Sequence, residues 1–422
     1  MPRISNVVIS LIALLPLAVV SSAAVYGQAE ETEQAAIVSN MIDPVMIDQE
    51  IPLPSDDEYY KVDNSIGEEA LDKAKYFLLY DPDTNEILVE RNSNVAVAPS
   101  SMTKLMTAYV VFSQIKQGLV SFNNQCFIGK DAWRKRGSTM FLGYGDIVSI
   151  EDLLRGLLVV SGNDAAIALA ETTAGSYENF VNLMNAKAKE MGLTSSHFAN
   201  PHGLNEVGHY MSLRDLATLT KRLLDDFPQY SNFLAIPEFH YRGFSKKNYH
   251  PLVKDHYEGV IGGKTGYTSQ GGYGAVGIVQ RGNRRLIAVV NKAVSSGQRA
   301  SIIKALMNYG FEKFKKVTIF NKNQMLAKVP VVQGSLSKVE AIVANKVEFN
   351  IPATISSEDI KIRIEYESPL VAPITKDSVI GIAKVRIDDF KFLEYPLLAK
   401  SDVAKAKYGY VDKFVNFFTN DN

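Results

Sequence analysis

The hydrophobic period of this chain changes near Lys316, and two different architectures follow from that change. Upstream, Met102 to Gln117 holds no Gly or Pro and carries apolar residues at 105, 106, 109, 110 and 112, so the spacing predicts a helix from Ser101 to Gln117. Further helices are expected over 150–160, 163–173, 176–191, 212–225 and about 299–314. Short strands bracket them: FLLYD and ILVERN, joined by a turn at Pro82-Asp83-Thr84-Asn85, and later 273–279 and 285–291. Downstream, Lys361 to Glu367 and Lys384 to Asp388 alternate strictly between polar and apolar, the mark of half-buried antiparallel strands. The expectation is a mixed α/β body over 75–315, with helices bunched between outer strand pairs, then a small all-β domain over 316–398.

The 422 residues suit two or three domains, and 46% apolar with 22% charged residues is ordinary for a globular protein. A net charge of −1 argues against a dedicated nucleic-acid binder but hides an asymmetry. Residues 28–74 hold 13 Asp and Glu against Lys61 and Lys73, whereas the chain from Lys75 onward has a net of +9. A moderately basic body behind an acidic leader favours anionic ligands or an anionic membrane surface. The single Cys126 excludes an intrachain disulfide and any multi-cysteine metal site, and it reads as a partly buried small residue.

At the N-terminus, Arg3 precedes a 14-residue, largely apolar stretch from Val7 to Val20, followed by small residues. This is the layout of a secretory signal over 1–29, shorter than the ~20 residues of a membrane span. Residues 30–74, acidic and dotted with Pro44, Pro52 and Pro54, read as a poorly ordered leader. At the other end, 399–422 returns to helical spacing: Val403, Tyr410, Val411, Phe414, Val415 and Phe418 share a stripe, with Lys405 and Lys413 off it and Lys407 interrupting it. Such an amphipathic helix suits peripheral contact with a membrane interface.

Three short motifs carry the chemistry. Ser101-Met102-Thr103-Lys104 opens a helix, and residues at i and i+3 lie on one face about 5–6 Å apart at Cβ, so hydroxyl and amine can meet. Serine becomes a nucleophile when a base takes its proton, and a lysine kept neutral by burial can be that base. Ser161-Gly162-Asn163 follows the apolar run from Leu157 and presents a hydroxyl and a carboxamide from a turn between helices. Lys264-Thr265-Gly266 reads as a strand that points an amine and a hydroxyl at an anion, with Gly266 leaving room for a substrate backbone. Each motif alone is weak. Together they stand in the order S-x-x-K, S-x-N, K-T-G, spaced by 60 and then 103 residues, the signature order of β-lactamases and penicillin-binding proteins.

The flanks narrow the match. Pro99-Ser100-Ser101-Met102-Thr103-Lys104-Leu105, Val160-Ser161-Gly162-Asn163-Asp164-Ala165 and Gly263-Lys264-Thr265-Gly266-Tyr267-Thr268 resemble the D-alanyl-D-alanine carboxypeptidases, the low-molecular-mass penicillin-binding proteins. The resemblance runs from about Lys75 to the C-terminus. It implies an α/β (α+β) transpeptidase-like catalytic domain with an antiparallel sheet and a helical subdomain, followed by the all-β domain. It further implies that Ser101 attacks the peptide bond between two D-alanines of a peptidoglycan stem peptide while Lys104 accepts its proton. Backbone N–H groups of Ser101 and Tyr267 would form the oxyanion hole. Ser161 would relay a proton to the leaving D-alanine, Asn163 would hold the substrate amide, and Lys264 would keep the field positive. Thr265 would bind the terminal carboxylate together with Arg299, placed by the resemblance of the stretch from Ser295 to Phe311. No cofactor or metal is expected. The expected partners are the stem peptide, β-lactams as covalent inhibitors, and a membrane reached through the terminal helix, with a periplasmic location on the outer face of the cytoplasmic membrane.

Other readings remain at this stage. A D,D-endopeptidase acting on peptidoglycan cross-links shares every motif. A β-lactamase needs a second base, and the nearest match to its E-x-x-L-N pattern, Glu178 to Asn182, falls only 15 residues after Asn163 and reads as helix surface. A catalytically dead peptidoglycan-binding module would have lost Ser101 or Lys104. The G-x-G-x-x-G match at Gly272 to Gly277 opens no helix, so it reads as strand rather than a dinucleotide fingerprint. His197, His202 and His209 read as turn and packing residues.

Overall fold

The computed structural model describes residues 68–407. The expected signal segment, all but the end of the acidic leader, and positions 408–422 of the expected terminal helix lie outside the described residues. Chain contacts divide the protein into two units. One holds the described residues up to Val317 together with Glu348–Thr354; the other holds Thr318–Val347 and the residues from Ile355 onward.

The first unit is built on a five-stranded antiparallel sheet. Its strands are β1 (Tyr76–Asp81), β2 (Glu86–Arg91), β3 (Val260–Thr268), β4 (Gly272–Arg281) and β5 (Arg284–Ala293), in the order β2-β1-β5-β4-β3. The turn joining β1 and β2 is locally encoded: Asp81 Oδ1 accepts from the N–H groups of Asp83 (3.0 Å) and Thr84 (3.2 Å), and Asn85 takes φ 62°. The helices are α1 (Lys104–Lys116), α2 (Lys130–Arg134), α3 (Ile150–Val159), α4 (Asn163–Ala174), α5 (Tyr177–Glu190), α6 (Leu213–Asp226) and α7 (Ser296–Lys313). Ser149, Ser176, Ser212 and Ser295 cap α3, α5, α6 and α7 by accepting from the N–H three residues on. Helix α1 is buried from Lys104 through Gln114, on every face, and α3, α4, α5 and α6 pack against it. The helix expected from Ser101 begins instead as a 3₁₀ turn over Ser100–Thr103.

Two expectations need correction at the domain edges. The leader was expected to lack order through 74, yet Glu69–Asp72 forms a helical turn with Leu71 fully buried, and Arg91 Nη1 donates to the carbonyls of Leu71 (2.9 Å) and Ala74 (2.7 Å). An apolar side chain and an arginine satisfying turn carbonyls outweigh the acidic composition there. The span 316–398 is also not continuous: residues 348–354 belong to the catalytic unit, where Asn350 donates to Asp81 Oδ2 (3.0 Å) and accepts from Arg284 Nη2 (2.8 Å).

The second unit is all β. Its six-stranded sheet runs Ile360–Glu365, Val379–Ile387, Lys391–Ala399, Lys338–Val343, Gln324–Val332, Leu370–Val371. The alternation legible in the sequence is the pleat itself: Ile360 and Ile362 are buried while Lys361 is exposed, and Val385 and Ile387 are buried around an exposed Arg386. The stretch after Ala399 was expected to be helical. In its described part Val403 is fully buried and bridges Ile374 through paired bonds of 2.8 and 2.9 Å, and Lys405 bridges Gly334. Backbone pairing along the sheet therefore takes Val403 out of the helical stripe. Cys126 is fully buried rather than partly so, and burial raises its thiol pKa.

Candidate active site

Three elements bring the motifs together: the 3₁₀ turn before α1, the turn before α4, and edge strand β3. Ser100 sits at φ 51° and shares a 3.0 Å hydroxyl bond with Thr268 of β3, which ties the turn carrying Ser101 to the K-T-G strand. Gly266 lets that strand come close. A Cβ there would lie 3.0 Å from the Pro99 carbonyl and 3.2 Å from Ser101 N.

Lys104 is fully buried, and its Nζ lies 3.0 Å from Ser101 Oγ, 2.8 Å from Asn163 Oδ1 and 2.5 Å from the His202 carbonyl. Burial, then repulsion from Lys264, holds this amine well below the ordinary lysine pKa, against the pull of Asp164. A neutral amine has two N–H bonds and one lone pair. The Asn163 and His202 oxygens accept only, so they take both N–H bonds and leave the lone pair for the Ser101 hydroxyl. Asn163 is oriented by its own bonds: Nδ2 donates to the Arg136 carbonyl (2.9 Å) and its backbone N–H donates to the Ser138 carbonyl (2.7 Å).

On the other side, Ser161 holds φ 62°, a left-handed conformation costly for a non-glycine residue, and its Oγ lies 2.9 Å from Lys264 Nζ. Lys264 is buried, and desolvation followed by repulsion from Arg299 lowers its pKa to about 7. Thr265 is buried beside it, whereas Tyr267 is 55% exposed and its ring packs on Tyr273 at 4.3 Å. Arg299, on the first turn of α7, is 9% exposed, stands over the Tyr273 ring at 5.9 Å, and has a buried Nε with no hydrogen-bond partner. An arginine desolvated in this way is set for an incoming anion.

Sequence reasoning missed the groups that hold these residues. His202 contributes its backbone carbonyl to Lys104, and the His209 ring accepts from Ala199 N at Nδ1 (3.0 Å), so Nε2 carries the hydrogen toward Thr103 Oγ1 (2.8 Å). Burial pushes the His202 and His209 pKa values down, to about 2 and about 4, so both rings stay neutral. Asp164 accepts from the N–H groups of Met140, Leu142 and Ala165 and fastens the cleft wall to α4. His250 packs behind the K-T-G strand: a Cβ on Gly263 would lie 2.6 Å from its Nε2 and one on the cross-strand partner Gly277 would lie 3.2 Å from its Cε1. A carbonyl that binds through tertiary contact has no side-chain signature, but His250, next to Pro251 and 14 residues before Lys264, could have been flagged. Glu178 is exposed on α5, and the glycine-rich decoy is strand β4, paired with β3. Among the described residues, no three His, Cys, Asp or Glu side chains come together as metal ligands.

A serine whose proton faces a desolvated lysine, set at the edge of an antiparallel sheet flanked by helices, defines the penicillin-binding class of serine hydrolases. Family models agree: that of the D-alanyl-D-alanine carboxypeptidases matches residues 64–295, and that of the penicillin-binding protein 5 C-terminal domain matches 314–405. The chain is 33% identical to D-alanyl-D-alanine carboxypeptidase DacF of Bacillus subtilis (strain 168), over 83% of this chain and 91% of the relative. It superposes on the crystal structure of penicillin-binding protein 5 from Haemophilus influenzae with a TM-score of 0.71 and 33% identity, covering 79% of this chain and 98% of that one. The ampicillin-bound penicillin-binding protein D2 of Listeria monocytogenes matches at 26% identity and a TM-score of 0.52, over 56% of this chain and 97% of that one. The chain belongs to the D-alanyl-D-alanine carboxypeptidase family, the low-molecular-mass penicillin-binding proteins.

Proposed function

We propose that the protein is a serine carboxypeptidase that removes the terminal D-alanine from peptidoglycan stem peptides through an acyl-enzyme on Ser101. The observation that carries the reading is the buried Lys104 amine, 3.0 Å from Ser101 Oγ with its other two contacts to pure acceptors. Ser101 Oγ attacks the D-alanyl carbonyl carbon as its proton passes to Lys104 Nζ. The C–N bond then breaks, the leaving amine takes the proton from Lys104 by way of Ser161 Oγ, which leaves Lys104 neutral again, and Ser101 carries the acyl ester. Water attacks the ester carbonyl, Lys104 accepts the water proton, and Ser101 regains its hydrogen. Thr265 and Arg299 hold the terminal carboxylate, while the Ser101 and Tyr267 N–H groups face the oxyanion.

A β-lactam presents a comparable amide whose leaving group stays attached, so covalent trapping on Ser101 belongs to the same reading. Export and contact with the outer face of the cytoplasmic membrane are part of it too. They are supported by the charge-then-apolar N-terminus and by the aromatic, lysine-flanked C-terminus, where each surface lysine attracts anionic lipid by ~1 kcal/mol. Product analysis with a pentapeptide stem and with a cross-linked pair of stems tests the activity: free D-alanine is expected from the first, and cleavage of the cross-link without free D-alanine would overturn it in favour of an endopeptidase. Intact mass should show one penicillin adduct, absent in Ser101→Ala.

A further inference from the structure

The cleft gathers more positive charge than the reaction uses. Lys104 serves as base, and Lys264 and Arg299 lie on the K-T-G side, yet a fourth cation stands on the opposite wall. Lys135 follows the last turn of α2 with extended backbone, ψ 127°, and the next three residues run along Asn163. The Arg136 carbonyl accepts from Asn163 Nδ2 (2.9 Å), a Cβ on Gly137 would sit 2.7 Å from that same atom, and the Ser138 carbonyl accepts from Asn163 N (2.7 Å). Lys135 therefore stands at the head of the segment that walls Asn163, the residue that contacts Lys104. It is half-buried, its charge disfavours the protonated forms of Lys104 and His202, and the acid that acts on it is Glu206. Glu206 itself accepts from Asn200 Nδ2 (2.9 Å). Among the described residues no carboxylate forms an ion pair with Lys135.

A half-buried ammonium placed beside a base that must stay neutral is useful when an anion arrives to meet it. The terminal carboxylate is accounted for on the far side by Thr265 and Arg299, so the remaining place for an anion is the acyl side of the scissile bond, along Asn163. We infer that Lys135 forms a second anion subsite, which takes a carboxylate carried by the stem peptide upstream of its D-alanyl-D-alanine end. The inference rests on the carboxypeptidase reading and deepens it by naming an acidic acyl segment as the preferred substrate class.

Two N-acetylated peptides ending in D-Ala-D-Ala test it, one with a free glutamyl carboxylate upstream and one with that group as a carboxamide. The wild type should favour the acid by about tenfold in kcat/KM, mainly through KM, as a charge-assisted contact predicts. In Lys135→Gln the ratio should fall to about one, and Lys135→Arg should keep most of the preference. An unchanged ratio in Lys135→Gln overturns the subsite. So does an equal loss on both peptides, which would assign Lys135 to the field around Lys104. Protection of Ser101 from penicillin by each peptide reads the same preference as binding. If neither peptide releases D-alanine with the wild type, the carboxypeptidase reading fails, and the protection ratio still decides the subsite.

Discussion

Lys104 Nζ lies 2.8 Å from Asn163 Oδ1, and this contact makes the asparagine an acceptor that a neutral amine can satisfy. A carboxylate in its place would favour the ammonium form and raise the Lys104 pKa. Asn163→Asp is therefore expected to cut acylation of Ser101 by penicillin about 100-fold or more near neutral pH, with the fold retained. The acid limb of the rate profile should move to higher pH, because Lys104 must lose its proton to act. Intact-mass acylation rates across pH check this, and an unshifted acid limb would remove Lys104 as the base.

Lys264 is expected to set the opposite limb. Its pKa is lowered to about 7 by burial and then by Arg299, so in the free enzyme its charge is present below that pH and lost above it. If the charged form binds the substrate carboxylate, kcat/KM should fall as pH rises through about 7. Arg299→Gln removes the repelling charge, so the surviving activity should show its alkaline limb at higher pH. A limb that stays in place would mean that another group controls it.

Gly266 is tested by one methyl group. A Cβ there would meet the Pro99 carbonyl and Ser100 Cβ at 3.0 Å and Ser101 N at 3.2 Å, so the nucleophile turn or the strand must shift by a few tenths of an ångström. Gly266→Ala should lower acylation by about 10–100-fold while the melting temperature changes little. A drop of many degrees with normal residual chemistry would assign the glycine to folding instead.

Asn350 is a stability residue supplied by sequence beyond the catalytic domain's expected end. It bonds buried Asp81 and Arg284, whose guanidinium also donates to the Gly310 and Phe314 carbonyls at 2.8 and 2.6 Å. Asn350→Ala leaves buried polar partners unsatisfied, at a cost of about 1–3 kcal/mol. Thermal unfolding of the catalytic unit should shift down, with penicillin acylation at low temperature retained.

The terminal segment needs two truncations. Removing 408–422 should free folded enzyme from membranes if that stretch is the anchor. Removing 400–422 also strips buried Val403 from its bridge to Ile374 and should lower the stability of the β unit. Membrane association that persists after the shorter truncation would refute the anchor.

Much of this was legible along the chain because its signals are local. The alternation that begins at Lys361 is a pleat as far as Glu365, where the strand ends, and the apolar run through Val110 is a buried helix. The three motifs could be read in order because their chemistry resides in side chains at short, fixed spacing. Glu178 could be set aside as helix surface for the same reason.

The amino-acid sequence by itself determined which side chains were available for catalysis and which elements would carry them. The tertiary structure decided their state. Burial and Lys264 lower the Lys104 pKa, and the Asn163 and His202 oxygens reach its amine from segments 59 and 98 residues away. The Arg136 and His202 carbonyls carry no residue-specific signature. Likewise, nothing local to Asn350 tells of Asp81, 269 residues distant. Desolvation and backbone hydrogen bonding depend on what the folded chain packs against a group, so they could be read only once the chain had folded.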